Sequence, residues 1–189
     1  MPGTWVVVLA GGASRRFGRD KLAADLDGRT LLDATLASVP DDLPVVVVGP
    51  ERPVGRDVRF VREDPPGGGP AAGLVAGLTA ALAAGAARVT TLPGDAPAAG
   101  DGVRMLLDAL GPDDLVVAVA GDGQVFPLQL AVTRAGAERF LAAAGDGAGL
   151  SPRRLLEPLA PRRVLLPEPA LRDVDVPADL AAVGGDPAA

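Results

Sequence analysis

The chain of 189 residues contains no cysteine, no histidine and no tyrosine. Without cysteine there are no disulfides, no thiolate nucleophiles and no sulfur-bound zinc. Without histidine, imidazole acid–base catalysis, Ser-His-Asp triads and histidine metal sites are excluded. Chemistry is left to carboxylates, Lys/Arg, hydroxyls, backbone amides and bound ions. Positive charge is also short: 18 basic against 24 acidic residues give a net charge of −6. Such an acidic chain is a poor partner for nucleic acid or anionic membrane, and neither is expected to bind. The longest uncharged stretch, Pro65 to Ala87, is mostly Gly and Ala. Its large residues Leu74, Leu78 and Leu82 form one stripe at a spacing of four, the pattern of a buried helix face rather than a membrane span. No basic leader followed by an apolar run opens the sequence, so a cytoplasmic location is expected.

What is there suffices for one domain. At about 150 residues per domain the length predicts a single unit over 1–189. A chain of this size buries roughly 70% of its unfolded surface and needs no covalent staple. Hydrophobic residues at 48% and charged residues at 22% exclude a disordered chain. Residues 184–189 read as a frayed tail.

Valine-rich runs at Trp5–Ala10, Leu43–Val48, Val58–Val61, Arg88–Leu92 and Leu115–Ala120 read as strands. Several lack strict alternation, as strands covered on both faces do. Helical patterns lie between them. Thr30 and Asp33 resemble a capping box opening a helix to about Val39. Gly69-Pro70 opens the Leu74/Leu78/Leu82 helix, and Gly102–Leu110 gives a third. This alternation, with strands covered on both faces, predicts a three-layer α/β fold with crossover helices and a mostly parallel sheet. Gly121-Asp122-Gly123 separates Leu115–Ala120 from Gln124–Val132, a hairpin signal that adds one antiparallel strand. Helices are expected at Arg134–Ala143 and at Pro152–Leu159, the latter with Ser151 as N-cap. Short extended pieces follow at Val164–Leu166 and Arg172–Val174, then a helix over Pro177–Val183.

The segment Leu9-Ala10-Gly11-Gly12-Ala13-Ser14-Arg15-Arg16-Phe17-Gly18-Arg19-Asp20-Lys21 carries the strongest chemical signal. A strand ends in two glycines, then come two arginines, a further glycine and a lysine. Glycines let successive N–H groups face an anion, and Arg and Lys add charge for phosphate oxygens. The end of the first strand of an open α/β sheet is where such ligands bind. Of the 18 basic residues Lys21 is the only lysine, a compact ammonium where a planar guanidinium fits less well. The spacing matches neither a Walker loop nor the G-x-G-x-x-G dinucleotide pattern. A solvated surface loop is the alternative. Asp95, after Arg88–Leu92, is either a Mg²⁺ ligand facing phosphates or a turn residue in Gly-Asp-x-Pro. Asp175 either adds a second carboxylate or caps the helix opening at Pro177. Asp64, before Pro65-Pro66, also fits a turn.

The Leu9–Lys21 segment resembles the signature L-A-G-G-x-S-x-R-x-G-x-D-K of molybdenum cofactor guanylyltransferase-like (MobA-like) nucleotidyltransferases, matching every fixed position. Glu63-Asp64 with Gly69-Pro70-Ala71-Ala72-Gly73 resembles the family's acidic residue and G-P-x-A-G. Leu92 to Pro97 resembles its metal-binding x-x-D-x-P turn. Asp173 to Leu180 resembles its closing D-x-D/N-T-P-E-D-L, with Val176 in place of Thr. The resemblance implies a Rossmann-like domain that transfers GMP from GTP to molybdopterin, releasing pyrophosphate, with Mg²⁺ as cofactor. It implies nucleotide contacts from Leu9, Ala10, Gly11, Gly12, Lys21, Asp64 and Asp95. Arg15, Arg16, Lys21 and Asp95 are the expected catalytic residues, and Asp95 and Asp175 the expected metal ligands. The family's guanine users tend to read Ala-Gly-Gly in the first loop, as Ala10-Gly11-Gly12 does, and its cytosine users Ala-Ala-Gly. A family asparagine after the second strand falls near Gly49 here. Pro127-Leu128-Gln129 stands where relatives often carry a histidine. The implied partners are GTP and molybdopterin, with transient contact to other molybdenum cofactor biosynthesis or acceptor proteins. Rival readings use CTP or another phosphorylated acceptor, such as a sugar phosphate or phospholactate. A non-catalytic nucleotide-binding module and a sulfate-binding metabolite protein are further alternatives.

Overall fold

The structure is a computed structural model and describes residues 3–12, 17–111 and 114–183. The tail expected at 184–189 lies outside the described residues.

The first strand, β1 (Thr4–Leu9), is buried on both faces. Val6 and Val8 enter one core and Val7 the other. Successive side chains point to opposite faces, so a strand covered by helices on both sides reads as an unbroken valine run. A two-stranded ribbon follows, β2 (Asp25–Leu26) with β3 (Arg29–Thr30), antiparallel. Next come α1 (Leu31–Ser38), β4 (Val45–Val48), β5 (Arg59–Val61), α2 (Pro70–Ala83) and β6 (Arg88–Pro93). The second half contains α3 (Val103–Leu110), β7 (Leu115–Val119), β8 (Val125–Thr133), α4 (Arg134–Ala144) and α5 (Pro152–Leu156). It closes with β9 (Arg162–Leu165), α6 (Glu168–Leu171) and α7 (Pro177–Ala182).

Seven strands form the main sheet in the order β5-β4-β1-β6-β8-β7-β9. All neighbours are parallel except β8, which runs antiparallel to both β6 and β7. The hairpin expected around Asp122 is present, with Gly123 N–H on Ala120 O (2.9 Å). The β7–β8 register shifts between Val117 and Ala118, which face Leu130 and Phe126. Pro127 lies in that interval. Proline offers no N–H to a ladder, and an irregularity is where an inner strand tolerates it.

From β1 the chain passes to β4 and β5 on one side and then returns to β6 on the other. This reversal opens a crevice beyond the carboxyl ends of β1, β4 and β6. One core lies between the sheet and α1 and α3, including Leu32, Leu36, Leu106 and Leu107. The other lies against α2 and α4, including Leu74, Leu78 and Phe140. A third, smaller cluster joins Phe17, Ala24, Leu26 and Leu31 to Val174 and Leu180. It ties the exit of the first loop to the C-terminal segment.

Three local features differ from expectation. Pro158 ends the helix expected over Pro152–Leu159: α5 stops at Leu156, and a 3-10 turn covers Glu157–Leu159. Proline lacks the N–H that the next helical turn requires. Ser151 precedes α5 without a side-chain cap bond. The segment Arg172–Val174 pairs with no described strand and instead follows α6. Among the described residues no helix is long and apolar enough to cross a membrane.

Candidate active site

The crevice at the end of β1 is a cleft of about 690 Å³. Leu9, Val48, Pro50, Gly73, Pro93 and Leu128 give it apolar walls, and Ala10, Gly11 and Gly12 run along its edge. Ala10 N–H donates to Val48 O (2.8 Å), and Gly94 N–H donates to Leu9 O (2.9 Å). The glycine turn is thereby anchored to the ends of both neighbouring strands. Gly12 has φ +137, a region that favours glycine, and among the described residues other than its chain neighbours no atom stands within 4 Å of where a Cβ on it would lie. Arg15 and Arg16 lie outside the described residues.

Lys21 opens a 3-10 turn, Lys21–Ala23, capped by Asp20, whose Oδ1 accepts from Leu22 N–H (3.1 Å). Asp20 Oδ2 accepts from Arg52 Nη1 at 2.8 Å, fastening the turn to the loop after β4. The Lys21 ammonium donates to the Asp95 carboxylate and to Val174 O (3.0 Å), and lies 3.5 Å from Asp175 Oδ1. Burial alone pulls the Lys21 pKa down. The hydrogen bond and charge of Asp95, then those of Asp175, outweigh burial and hold it above its ordinary value.

Asp95 follows β6 in a turn held from behind by α1, where the buried Thr35 hydroxyl lies 2.9 Å from Gly94 O. Val174 is fully buried in the small third cluster. In an extended chain the residues on either side of a buried one face the opposite way, and Asp173 and Asp175 so face Asp95. The three carboxylates each offer an oxygen within 4.8 Å of the other two. Burial, then the charges of Asp95 and Asp175, push the Asp173 pKa up, and its own backbone hydrogen bond and Lys21 offset them only in part. Asp179 reaches back over the start of α7, accepting from the N–H groups of Asp175 and Val176 at 2.8 Å each. Those bonds hold the Asp179 pKa below its ordinary value. Asp179 thus takes the helix-capping work, and the Asp175 carboxylate faces Lys21.

The structure brings together Leu9, Ala10, Gly11, Gly12 and Asp95 around the cleft, with Lys21 on Asp95 and Asp175 3.5 Å from Lys21. Asp64 lies elsewhere. It lines a depression beside α2 with Arg59, Arg62, Thr79 and Asp146, and its neighbour Glu63 lines the cleft. Gly49 cannot carry a side chain in this backbone: a Cβ there would stand 2.6 Å from Ala10 O. Sequence reasoning gave no role to Asp173, Glu63, Asp20 or Arg52. The Asp-x-Asp spacing around a valine was the available signal for Asp173; Arg52 sits in an irregular loop that offers none.

A family model described as the MobA-like NTP transferase domain matches residues 6–164. Among curated proteins none matches significantly. Among solved structures, the chain is similar to a homologue of Mycobacterium tuberculosis Rv0371c from Mycobacterium sp. strain JC1, at 26% identity over 95% of this chain and 96% of that one, TM-score 0.73. It is similar to a nucleotidyl transferase from Methanothermobacter thermautotrophicus at 23% identity, covering 97% of both chains, TM-score 0.77. It is also similar to molybdopterin-guanine dinucleotide biosynthesis protein A from Archaeoglobus fulgidus, at 20% identity over 95% and 96% of the chains, TM-score 0.68.

Proposed function

The chain belongs to the family of MobA-like NTP transferase domains, and from that premise we propose that it transfers GMP from GTP to the phosphate of molybdopterin, releasing pyrophosphate. The observation that carries this reading is the meeting of Lys21 with Asp95 and Asp175 beside an open glycine turn. The sequence Ala10-Gly11-Gly12 favours GTP, and the Archaeoglobus relative is named for making a molybdopterin-guanine dinucleotide.

The reaction joins two phosphates. An anionic oxygen of the acceptor phosphate attacks the α-phosphorus of GTP and forms a new O–P bond. The bond from that phosphorus to the α,β-bridging oxygen breaks, and its electron pair leaves with pyrophosphate. The attacking oxygen carries no proton to remove, so the absence of histidine and cysteine is no handicap. What the protein supplies is alignment and charge. The N–H groups of the glycine turn hold phosphate oxygens, and Lys21 exchanges a carboxylate partner for one of them. The apolar walls at Leu9, Val48 and Leu128 hold the nucleoside away from water.

The donor set fits a divalent cation: all-oxygen, three carboxylates in mutual reach and one ammonium between them. Mg²⁺ is commonly held by one or two carboxylates plus substrate phosphates. Asp95 and Asp175 would hold it, with Asp173 beside them. When bound, the ion neutralises charge on the transferring and departing phosphates.

The test is pyrophosphate release by the purified chain with molybdopterin and each nucleoside triphosphate. Release with GTP in the presence of Mg²⁺ is expected. Turnover with CTP, or only with a sugar phosphate or phospholactate as acceptor, would replace the substrate assignment. Absence of any nucleotide binding would remove the transferase reading altogether.

A further inference from the structure

We propose that Gln129 is a positioning residue: its amide ends α6 at Ala170 and so sends Asp173 and Asp175 to Asp95. The inference rests on the reading of those carboxylates as a divalent-cation site and adds the group that assembles it.

Gln129 is a buried amide in a strand interior, where an apolar side chain is the ordinary choice. It lies in the irregular stretch of β8. Val117 faces Leu130 and Ala118 faces Phe126, which leaves Pro127, Leu128 and Gln129 outside the β7 register. Irregularities of this kind redirect side chains. Gln129 Nε2 donates to Ala170 O at 2.9 Å. Its Oε1 is buried and meets no donor among the described residues. The unmet oxygen offsets what the one bond contributes, so stability is a poor account of this residue. Position is a better one.

The carbonyl that Gln129 reaches is the one that decides where α6 stops. The helix covers Glu168–Leu171. Were it to continue, Ala170 O would accept from the N–H four residues on, which belongs to Val174. Val174 N–H goes instead to Asp95 O at 2.9 Å. Ala170 is fully buried, so its carbonyl needs another donor within the protein. Gln129 supplies it. The chain is then able to leave the helix: Arg172 is extended, with φ −81 and ψ 118. The segment runs on to the turn after β6, with Val174 buried and an acid on each side of it.

An apolar side chain at 129 would leave Ala170 O unmet in the core, and Val174 N–H is its helical partner. If that N–H turns to Ala170 O, α6 lengthens and the bond to Asp95 breaks. Asp173 and Asp175 are then withdrawn together. Gln129 therefore acts on the cation site through the backbone of this segment.

The test uses the full chain and Gln129→Met, which keeps the side-chain length and removes the donor. Nuclear magnetic resonance reads the through-hydrogen-bond coupling from Val174 N to Asp95 C′. Electron paramagnetic resonance follows a Mn²⁺ titration, with GTP and without. In the parent the coupling is present and Mn²⁺ binds. In Gln129→Met the coupling to Asp95 disappears, and Mn²⁺ binds about tenfold to a hundredfold more weakly, the scale of losing a group that orients metal ligands. Val132→Ala truncates a buried side chain of the same strand that faces the opposite core, and it should bind Mn²⁺ as the parent does. Where Gln129→Met does not fold, Gln129→Asn replaces it: the amide is one methylene short of Ala170 O, and the same two losses are expected. Either reading at its parental value in the folded variant overturns the inference and leaves the cation site standing. So does a parent without the coupling. An equal loss of Mn²⁺ affinity in Val132→Ala makes general loosening the cause and also overturns it. A parent that binds no Mn²⁺ in either condition overturns the cation reading and this inference with it.

Discussion

The backbone N–H of Val174 donates to the carbonyl oxygen of Asp95 at 2.9 Å. This one bond joins the C-terminal segment to the turn after β6. With Val174 buried in the third cluster, it delivers the carboxylates of Asp173 and Asp175 to the face that Asp95 and Lys21 occupy. Three acids and one ammonium then share a small volume. Lys21 offsets the mutual repulsion of the acids only in part, as the raised pKa of Asp173 reflects.

Asp173 carries the clearest cost. Its pKa is raised in the fold, by burial first and by Asp95 and Asp175 next. The folded state therefore holds the proton more tightly than the unfolded state. Its relative benefit is complete below the ordinary carboxyl value of 3.8 and is lost as pH rises through the folded value. At neutral pH the charge on Asp173 destabilises the metal-free chain. Asp173 is exposed, so water screens much of this cost; Asp173→Asn should stabilise the chain there by less than about 1 kcal/mol, and the gain should vanish in acid. Urea unfolding at both pH values checks this. Added Mg²⁺ should narrow the gap, because the parent gains more from the cation.

Lys21 behaves in the opposite range. Its pKa is also raised, but here the charged form is the stabilising one. That stabilisation is complete below the ordinary value of 10.5 and is lost as pH climbs through the folded value. Lys21→Met should destabilise the chain at neutral pH by about 1–3 kcal/mol. The difference should close only in strong alkali, as thermal melts across that range would show. The same variant should lower kcat about 100-fold, the scale of one preorganised charge donor. Unchanged turnover with an intact fold would remove Lys21 from the machinery.

Much of this was legible in the chain itself. The valine run of β1 and the glycine turn after it announce themselves because a doubly covered strand and a tight turn favour those residue types, and Lys21 stands out as the only lysine. Asp95 is marked by its place at the end of β6. What was not legible depends on long-range packing or on short elements. Asp27-Gly28 is a hairpin signal, with φ +54 and +83, but strands of two residues leave no alternation to read. Whether Glu63 or Asp64 faces the cleft depends on backbone direction past β5, where no period applies. Arg52 and Arg56 occupy an irregular loop, and nothing local indicates the partners they reach.

Arg56 is a test of that loop. Its Nη1 donates to Leu36 O (3.1 Å) and Val39 O (2.7 Å), and its Nη2 to Pro40 O (2.8 Å) and Leu43 O (2.7 Å). It gathers carbonyls at the end of α1 and in the loop after it, two of which, Leu36 O and Pro40 O, also accept a backbone N–H, from Val39 (3.3 Å) and Leu43 (3.1 Å). Arg56→Ala should cost about 2–3 kcal/mol, the loss of a charged donor at several partly buried acceptors. Arg56→Lys should recover little, since a point ammonium does not reproduce the planar fork. Denaturant midpoints of the two variants decide the matter; a parental midpoint for Arg56→Lys would show that charge alone suffices.

Gly49 tests whether the family's asparagine can be restored. A Cβ at this position would meet Ala10 O at 2.6 Å, Ala10 C at 2.8 Å and Gly11 N at 3.2 Å. All three are backbone atoms of the glycine turn, so no side-chain rotation relieves the contact. Gly49 N–H also bonds Val61 O at 2.8 Å, which fixes it from the other side. Gly49→Asn must therefore push the glycine turn away from β4. It should cost about 1–3 kcal/mol, as overfilled sites do, and, on the proposed function, weaken GTP binding at least tenfold by displacing the N–H groups assigned there to phosphate. Gly11→Ala is the control for mere bulk in the same cleft. Its Cβ finds nothing nearer than 3.8 Å, an ordinary contact, so its melting temperature should stay within a few degrees of the parent. If Gly49→Asn melts with the parent and binds GTP as well, the close approach of the two loops does not govern the site. If both variants fall equally, volume rather than the Ala10 contact is what the cleft cannot absorb.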